Sequence, residues 1–263
     1  MKFSIIGTGF ILLSHIQAIR DIKGEIREII NDSKDKNAWK EMVKTTDADC
    51  VVLLTPNYLH YEMILECAKN NKIVLCEKPL VINSKHCKEL EPKENIFTVL
   101  QLRHHPLLKE IRANIKEGGN VIDMDISVFR DENYYKNWKG QKEKSGGVLF
   151  NLGIHYFDLL LYLFGEAREV KTEYLDDKTG KGIIKGDNYT CNWRVSTDAK
   201  KEGQKRVFKI NEVDYNFSSK DNLSFENLHK FVYEDLLNKK GITPKESLKS
   251  IELVERLYQS YGK

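Results

Sequence analysis

No two cysteines in this 263-residue chain stand at CxxC or any other zinc-type spacing, and their number, five, is odd. Cys50 and Cys76 sit inside apolar, strand-like runs, where a thiol behaves as a small hydrophobe. That argues against a zinc or disulfide framework and fits a reducing, cytoplasmic setting. A one-sided charge is equally missing: 42 Lys plus Arg face 39 Asp plus Glu, a net +3 with both signs interspersed. A nucleic-acid partner would need basic residues gathered on one face, so none is expected. No apolar run looks long enough to span a bilayer, so no membrane partner is expected either. Internal repeats and low-complexity linkers are absent. His86 with Cys87, and His104 with His105, lack a third partner at ligand spacing, so no metal is expected.

What is present is core and pattern. At 41% hydrophobic residues, the chain has the length and the material for two folded domains. Its opening, MKFSIIGTGFILLSHIQAI, could pass for a signal peptide, but it reads equally as a strand, a glycine turn and a helix. Through the first hundred residues short β-branched runs alternate with amphipathic stretches, as in a series of parallel βαβ units. Strands are expected at 2–6, 26–30, 50–54, 72–76 and 96–100, apolar on both sides of the pleat. Helices are expected near 11–20, 36–45, 58–70, 83–90 and 106–117.

From residue 121 the pattern changes. In VIDMDISVF, apolar and polar residues alternate, and the same holds from Tyr189 to Val195 and from Val213 to Phe217. These are strands with one buried face. The second half therefore reads as a mostly antiparallel sheet with an opening helix and two closing ones. The last helix begins at a capping box, Thr243 to Glu246. The fold class is α/β, a Rossmann-type parallel sheet plus an α+β domain with an open-faced sheet. The domains expected are 1–104, dinucleotide-binding, and 105–263, for substrate and oligomerisation.

SIIGTGF places Gly7 and Gly9 between a strand and a helix, where bare backbone can turn tightly and approach a pyrophosphate. The third glycine of GxGxxG is replaced by Leu12, so the motif alone is weak. Asp32, 23 residues beyond Gly9, stands where an acid binds the ribose of NAD, or else it caps the next helix. Only residues 33–49 separate it from the next strand, which is room for one crossover helix. The third strand of a mononucleotide-binding half is thus expected to be absent, with the second strand at the sheet edge.

TPNYLH at 55–60, CEKPL at 76–80 and GGVLFNLGIHYFD at 146–158 closely resemble the glucose-fructose oxidoreductase and inositol dehydrogenase family. VLQLRHHP at 99–106, NWKGQKEKSGG at 137–147 and ESLKSIELVERL at 246–257 resemble its branch that oxidises C3 of UDP-N-acetylglucosaminuronic acid for surface polysaccharides. The resemblance runs over the whole chain. It departs at Leu12, at the missing strand and in a shortened nucleotide domain.

It implies NAD as cofactor, with Gly7, Gly9, Phe10, Ile11, Asp32, Thr55, Asn57, His60, Glu77, Lys78 and Gln101 around it. Asn57 and Glu77 would face the nicotinamide ribose, and Pro79 would follow a cis peptide. His155 is the candidate base, Lys78 would stabilise the developing alkoxide, and Asn151 would orient the sugar or His155. Asp158 reads as a supporting or structural residue. A UDP-sugar would meet Lys78, Asn151 and His155 together with Arg103, Trp138, Lys144 and Ser145.

Alternatives stand beside several of these roles. Arg103 suits a uronate carboxylate or a phosphate, or an interdomain salt bridge. Ser145 could merely cap the catalytic helix. Tyr134, Tyr135 and Trp138 could stack on uracil or simply pack. A homodimer or homotetramer is expected. Two other functions remain open: action on UDP-N-acetylglucosamine itself, or a degenerate member that binds a nucleotide sugar without cofactor turnover.

Overall fold

The protein is described from a computed structural model covering residues 1–31, 37–218 and 228–262. It divides into two compact units, Met1–Gln101 with Leu223–Leu248, and Leu102–Asn222 with Lys249–Lys263.

The first unit holds a parallel sheet of β1 (Lys2–Ile6), β2 (Glu25–Ile30), β3 (Cys50–Leu53), β4 (Ile73–Cys76) and β5 (Ile96–Thr98), in the order β2-β1-β3-β4-β5. Helices α1 (Leu12–Asp21), α2 (Ala38–Thr45), α3 (His60–Lys69) and α4 (Ser84–Leu90) make the crossovers. Among the described residues β1 pairs directly with β3, as the short 33–49 connection demanded. β2 lies at the edge, and its EIREII run is mostly exposed, unlike its apolar neighbours and unlike the two-sided burial expected of it.

The second unit holds α5 (Leu107–Asn114), β6 (Asn120–Ser127), the short helices α6 (Glu132–Tyr135) and α7 (Lys142–Ser145), and α8 (Ile154–Phe164). Its remaining strands are β7 (Ala167–Leu175), β8 (Thr179–Gly186), β9 (Tyr189–Ser196), β10 (Lys205–Ile210) and β11 (Val213–Asn216). They form one sheet, β11-β10-β6-β9-β8-β7, antiparallel throughout except between β6 and β9. α8 covers one face of it, with Phe157 edge-on to Trp193 at 5.4 Å and Tyr156 beside Phe208 at 6.2 Å.

Two helices follow, α9 (His229–Leu237) and α10 (Pro244–Ser260). The capping box of α10 is formed: Thr243 N–H donates to Glu246 Oε2 at 3.0 Å, and Glu246 N–H to Thr243 Oγ1 at 3.4 Å. A single boundary at residue 104 does not describe these units. Val232, Tyr233 and Leu236 of α9 are buried in the same cluster as Phe3, Ile5 and Ile19, so the chain returns to complete the first core.

The stretch Lys142–Phe164 is 23 residues long and apolar enough, by length and composition, to cross a membrane, contrary to the expectation that no such run exists. It is mostly buried, and its apolar side chains serve as core beneath the sheet.

Candidate active site

In the first unit the candidate residues gather at the carboxyl ends of β1, β3 and β4, the edge where open α/β sheets take ligands. Gly7 has φ +109°, and a Cβ there would lie 2.6 Å from the Leu54 carbonyl oxygen, so only glycine lets β1 turn here. Gly9 is different. Nothing lies within 4 Å of where its Cβ would be, which leaves its backbone open to a ligand. Phe10 is exposed beside it and Ile11 half-buried at the start of α1. Asp32 lies outside the described residues.

The TPNYLH turn is tied to the next strand end by His60, whose Nε2 lies 2.9 Å from the Thr55 carbonyl and Nδ1 2.8 Å from that of Pro79. Fully buried, His60 therefore holds two loops together rather than facing a cofactor. Thr55 turns its hydroxyl to the Met63 sulfur, and Asn57 is buried. The Lys78–Pro79 peptide is cis, as the resemblance implied.

Glu77 is also turned inward. Its Oε1 lies 3.1 Å from His15 Nε2 and 3.5 Å from His229 Nε2, and its Oε2 accepts the Lys78 N–H at 3.2 Å. Burial alone would raise this carboxyl, but the His15 hydrogen bond and the nearby His229 ring outweigh it and hold it well below the usual range. Each oxygen of Glu77 thus has a partner inside the unit and keeps acceptor capacity for the ribose contact that the resemblance implies. His15 and His229 were missed, and an isolated histidine in a helix carries no signal of a partner 62 residues away.

Gln101 is buried with its Oε1 lacking a hydrogen-bond partner. An orphaned acceptor, an open glycine and a cradle that a Cβ would fill are what a dinucleotide with an amide donor requires, so these residues fit the cofactor.

In the second unit α8 is entered through a π-helical turn, Leu149–Gly153, which carries Asn151. Such turns widen the helix locally and recur at functional sites. Asn151 hydrogen-bonds the Tyr134 hydroxyl, and His155 is 7% exposed on the first turn of α8. The pattern of polar residues was legible in the sequence, the π turn was not.

Arg103 does not stand ready for a carboxylate ligand. Its Nε and Nη2 each donate to Asp158 at 2.8 Å, and Tyr162 lies under the guanidinium at 4.9 Å. Both partners belong to the second unit, so this is not an interdomain bridge either. Ser145 is fully buried, donating to the Gln141 carbonyl and accepting from Gly147 N–H at 3.1 Å. It shapes the glycine turn before the π turn, which corrects its substrate assignment.

Trp138 and Lys144 are half-buried on the loop before α8. Lys139 lies 5.0 Å over the Tyr134 ring, and burial together with Arg130 lowers its pKa. A cavity of about 190 Å³ opens beside it, lined by Lys139, Lys142, Gly147, Asp177 and Tyr258. Tyr134 and Tyr135 pack edge-on at 5.1 Å.

A parallel sheet whose first strand turns through glycine into a helix defines a Rossmann-type dinucleotide-binding unit. The chain belongs to the Gfo/Idh/MocA oxidoreductase family: residues 1–95 match its NAD-binding Rossmann fold and 112–193 its C-terminal alpha/beta domain. Among solved structures it is similar to the WlbA (WbpB) dehydrogenase of Thermus thermophilus, at 25% identity over 98% of this chain and 94% of that one. The TM-score is 0.86 for the complex with NAD and α-ketoglutarate and 0.85 for that with NAD and UDP-GlcNAcA. The 2,7-anhydro-N-acetylneuraminate hydratase of Escherichia coli K12 is 34% identical over 142 residues, 50% of this chain and 37% of its own. Glucose-6-phosphate 3-dehydrogenase of Bacillus subtilis is 28% identical over 62% of this chain and 53% of its own. The alignments thus span about half or less of the curated relatives' length.

Proposed function

We propose that this protein is an NAD-dependent nucleotide-sugar dehydrogenase that oxidises the C3 hydroxyl of UDP-N-acetylglucosaminuronic acid in surface polysaccharide biosynthesis. The observation that carries this reading is the likeness, over 98% of the chain, to a dehydrogenase held with NAD and UDP-GlcNAcA. NAD, when bound, supplies the acceptor for the hydrogen that leaves C3. The glycine turn, Asn57 and Gln101 would hold it.

His155 takes the proton of the C3 hydroxyl, since imidazole is matched to neutral pH and general-base help contributes roughly a hundredfold to ten-thousandfold. Lys78 stabilises the alkoxide as it develops. Asn151 cannot act as a base, so it orients the sugar or His155. Trp138, Lys139 and Lys144 remain candidates for the nucleotide portion.

His155→Asn and Lys78→Ala should each lower kcat by about a hundredfold or more without shifting the unfolding midpoint. Full activity in both variants would sink the assignment. Comparing turnover of the uronate with that of UDP-N-acetylglucosamine separates the two sugars. A calorimetric titration showing no saturable NAD binding would favour the degenerate member instead. A homodimer or homotetramer, formed through the open sheet face, is part of this proposal, and light scattering that finds one chain would remove it.

A further inference from the structure

Glu77 is the residue immediately before Lys78, and everything that holds it comes from far away in the sequence. His15 reaches it from α1 and His229 from α9, while Tyr233, one turn along α9, places its hydroxyl 2.8 Å from His15 Nδ1. Burial is the largest influence on His15 and lowers its pKa, so the ring is neutral at physiological pH. A carboxylate can only accept, so Nε2 of that neutral ring carries the proton, and Tyr233 donates to Nδ1. Donors therefore run from Tyr233 through His15 to Oε1, and the Lys78 N–H donates to Oε2 at 3.2 Å.

Both oxygens of Glu77 therefore have a partner within the first unit. Burying a carboxylate and two imidazoles is costly, and such a group is retained where it fixes one geometry among several. Here the geometry fixed is the backbone of Lys78.

We propose that His15, His229 and Tyr233 are positioning residues that clamp Glu77 and, through its second oxygen, set the backbone from which Lys78 reaches its substrate. The inference rests on the role proposed above for Lys78. It differs from that role in its readouts.

The test pairs a measurement that needs no substrate with one that does. Amide hydrogen exchange at Lys78 should accelerate about tenfold or more in Glu77→Ala, where the acceptor is lost. His15→Leu and His229→Leu should each lower kcat about tenfold or more, while the calorimetric Kd for NAD stays within about twofold. Gln at either position, which offers a donor near the place of Nε2, should recover most of the turnover. If a Leu variant does not fold, Asn, too short to bring its amide to Oε1, takes its place in the comparison with Gln.

A weakened NAD Kd with unchanged kcat would return Glu77 to the ribose and overturn the clamp. So would wild-type exchange and kcat in every variant. The ligand-capable atoms of His15, Glu77 and His229 lie within 4.8 Å of one another, so one zinc per chain in the purified protein would instead make them a metal site. Should Lys78→Ala retain full turnover, the proposed chemistry fails by itself. Normal clamp variants beside an inactive Lys78→Ala would fail the clamp alone.

Discussion

A guanidinium that closes on a carboxylate through two bonds is fixed in orientation by them. Arg103 and Asp158 are such a pair, with side-chain exposures of 13% and 3%. Removing one partner leaves the other charge buried and alone, which costs about 3–5 kcal/mol. Arg103→Ala should therefore lower the urea midpoint markedly and leave KM for the sugar within about twofold in the fraction that stays folded. A large KM change with normal stability would restore Arg103 to the substrate. Read from VLQLRHHP alone, Arg103 offered a ligand or a bridge with equal force. What holds it in the structure is Asp158, 55 residues away on the face of α8 that carries the polar residues.

At the level of elements, strands with clean period-two or unbroken apolar runs were legible, and those with irregular pairing were not. β7 is bulged between Ala167 and Glu169 and again between Thr172 and Tyr174, so its alternation breaks twice. β8 contains Gly180 and Gly182, and a Cβ at Gly182 would lie 2.0 Å from the Lys171 carbonyl oxygen on β7. Glycine there serves close backbone approach and reads in sequence as a turn. The single α2 crossover, the edge place of β2 and the α10 cap followed from segment length and local chemistry, which need no distant partner. The π turn did not, because nothing in LFNLG differs in composition from an ordinary helix start.

In the first unit His15 on α1 and His60 on α3 are buried, and burial is the main cause lowering the pKa of each. Unfolded, both regain a pKa near the ordinary ~6.5, so the unfolded chain binds more protons below that value. Their contribution to stability is full above about pH 6.5 and declines as the pH falls toward the folded values. The unfolding temperature should thus fall between about pH 7 and pH 5, and His60→Gln should flatten that slope. A flat profile for the native protein would show that both rings take up protons in the folded chain as readily as in the unfolded one.

Over the whole molecule the chain leaves the first unit after Gln101 and rejoins it in the segment ending at Leu248. A fragment ending at residue 104, the boundary that composition suggested, would lack Val232, Tyr233 and Leu236. Burying three such side chains stabilises by roughly 1.5–3 kcal/mol each, a large share of a small domain's stability. That fragment should show weak or no cooperative urea unfolding, and a chain fusing residues 1–101 through a short linker to 228–248 should recover it. A fully cooperative transition in the shorter fragment would show that α9 is dispensable.

The same return of the chain sets a timetable for synthesis. The glycine turn and the five described parallel strands leave the ribosome first, yet the clamp on Glu77 waits for His229 and Tyr233, more than a hundred residues later in the chain. Until then the nascent nucleotide-binding half carries an open apolar flank, Glu77 lacks His229, and His15 lacks the Tyr233 hydroxyl. That flank stays uncovered while the second unit is being made.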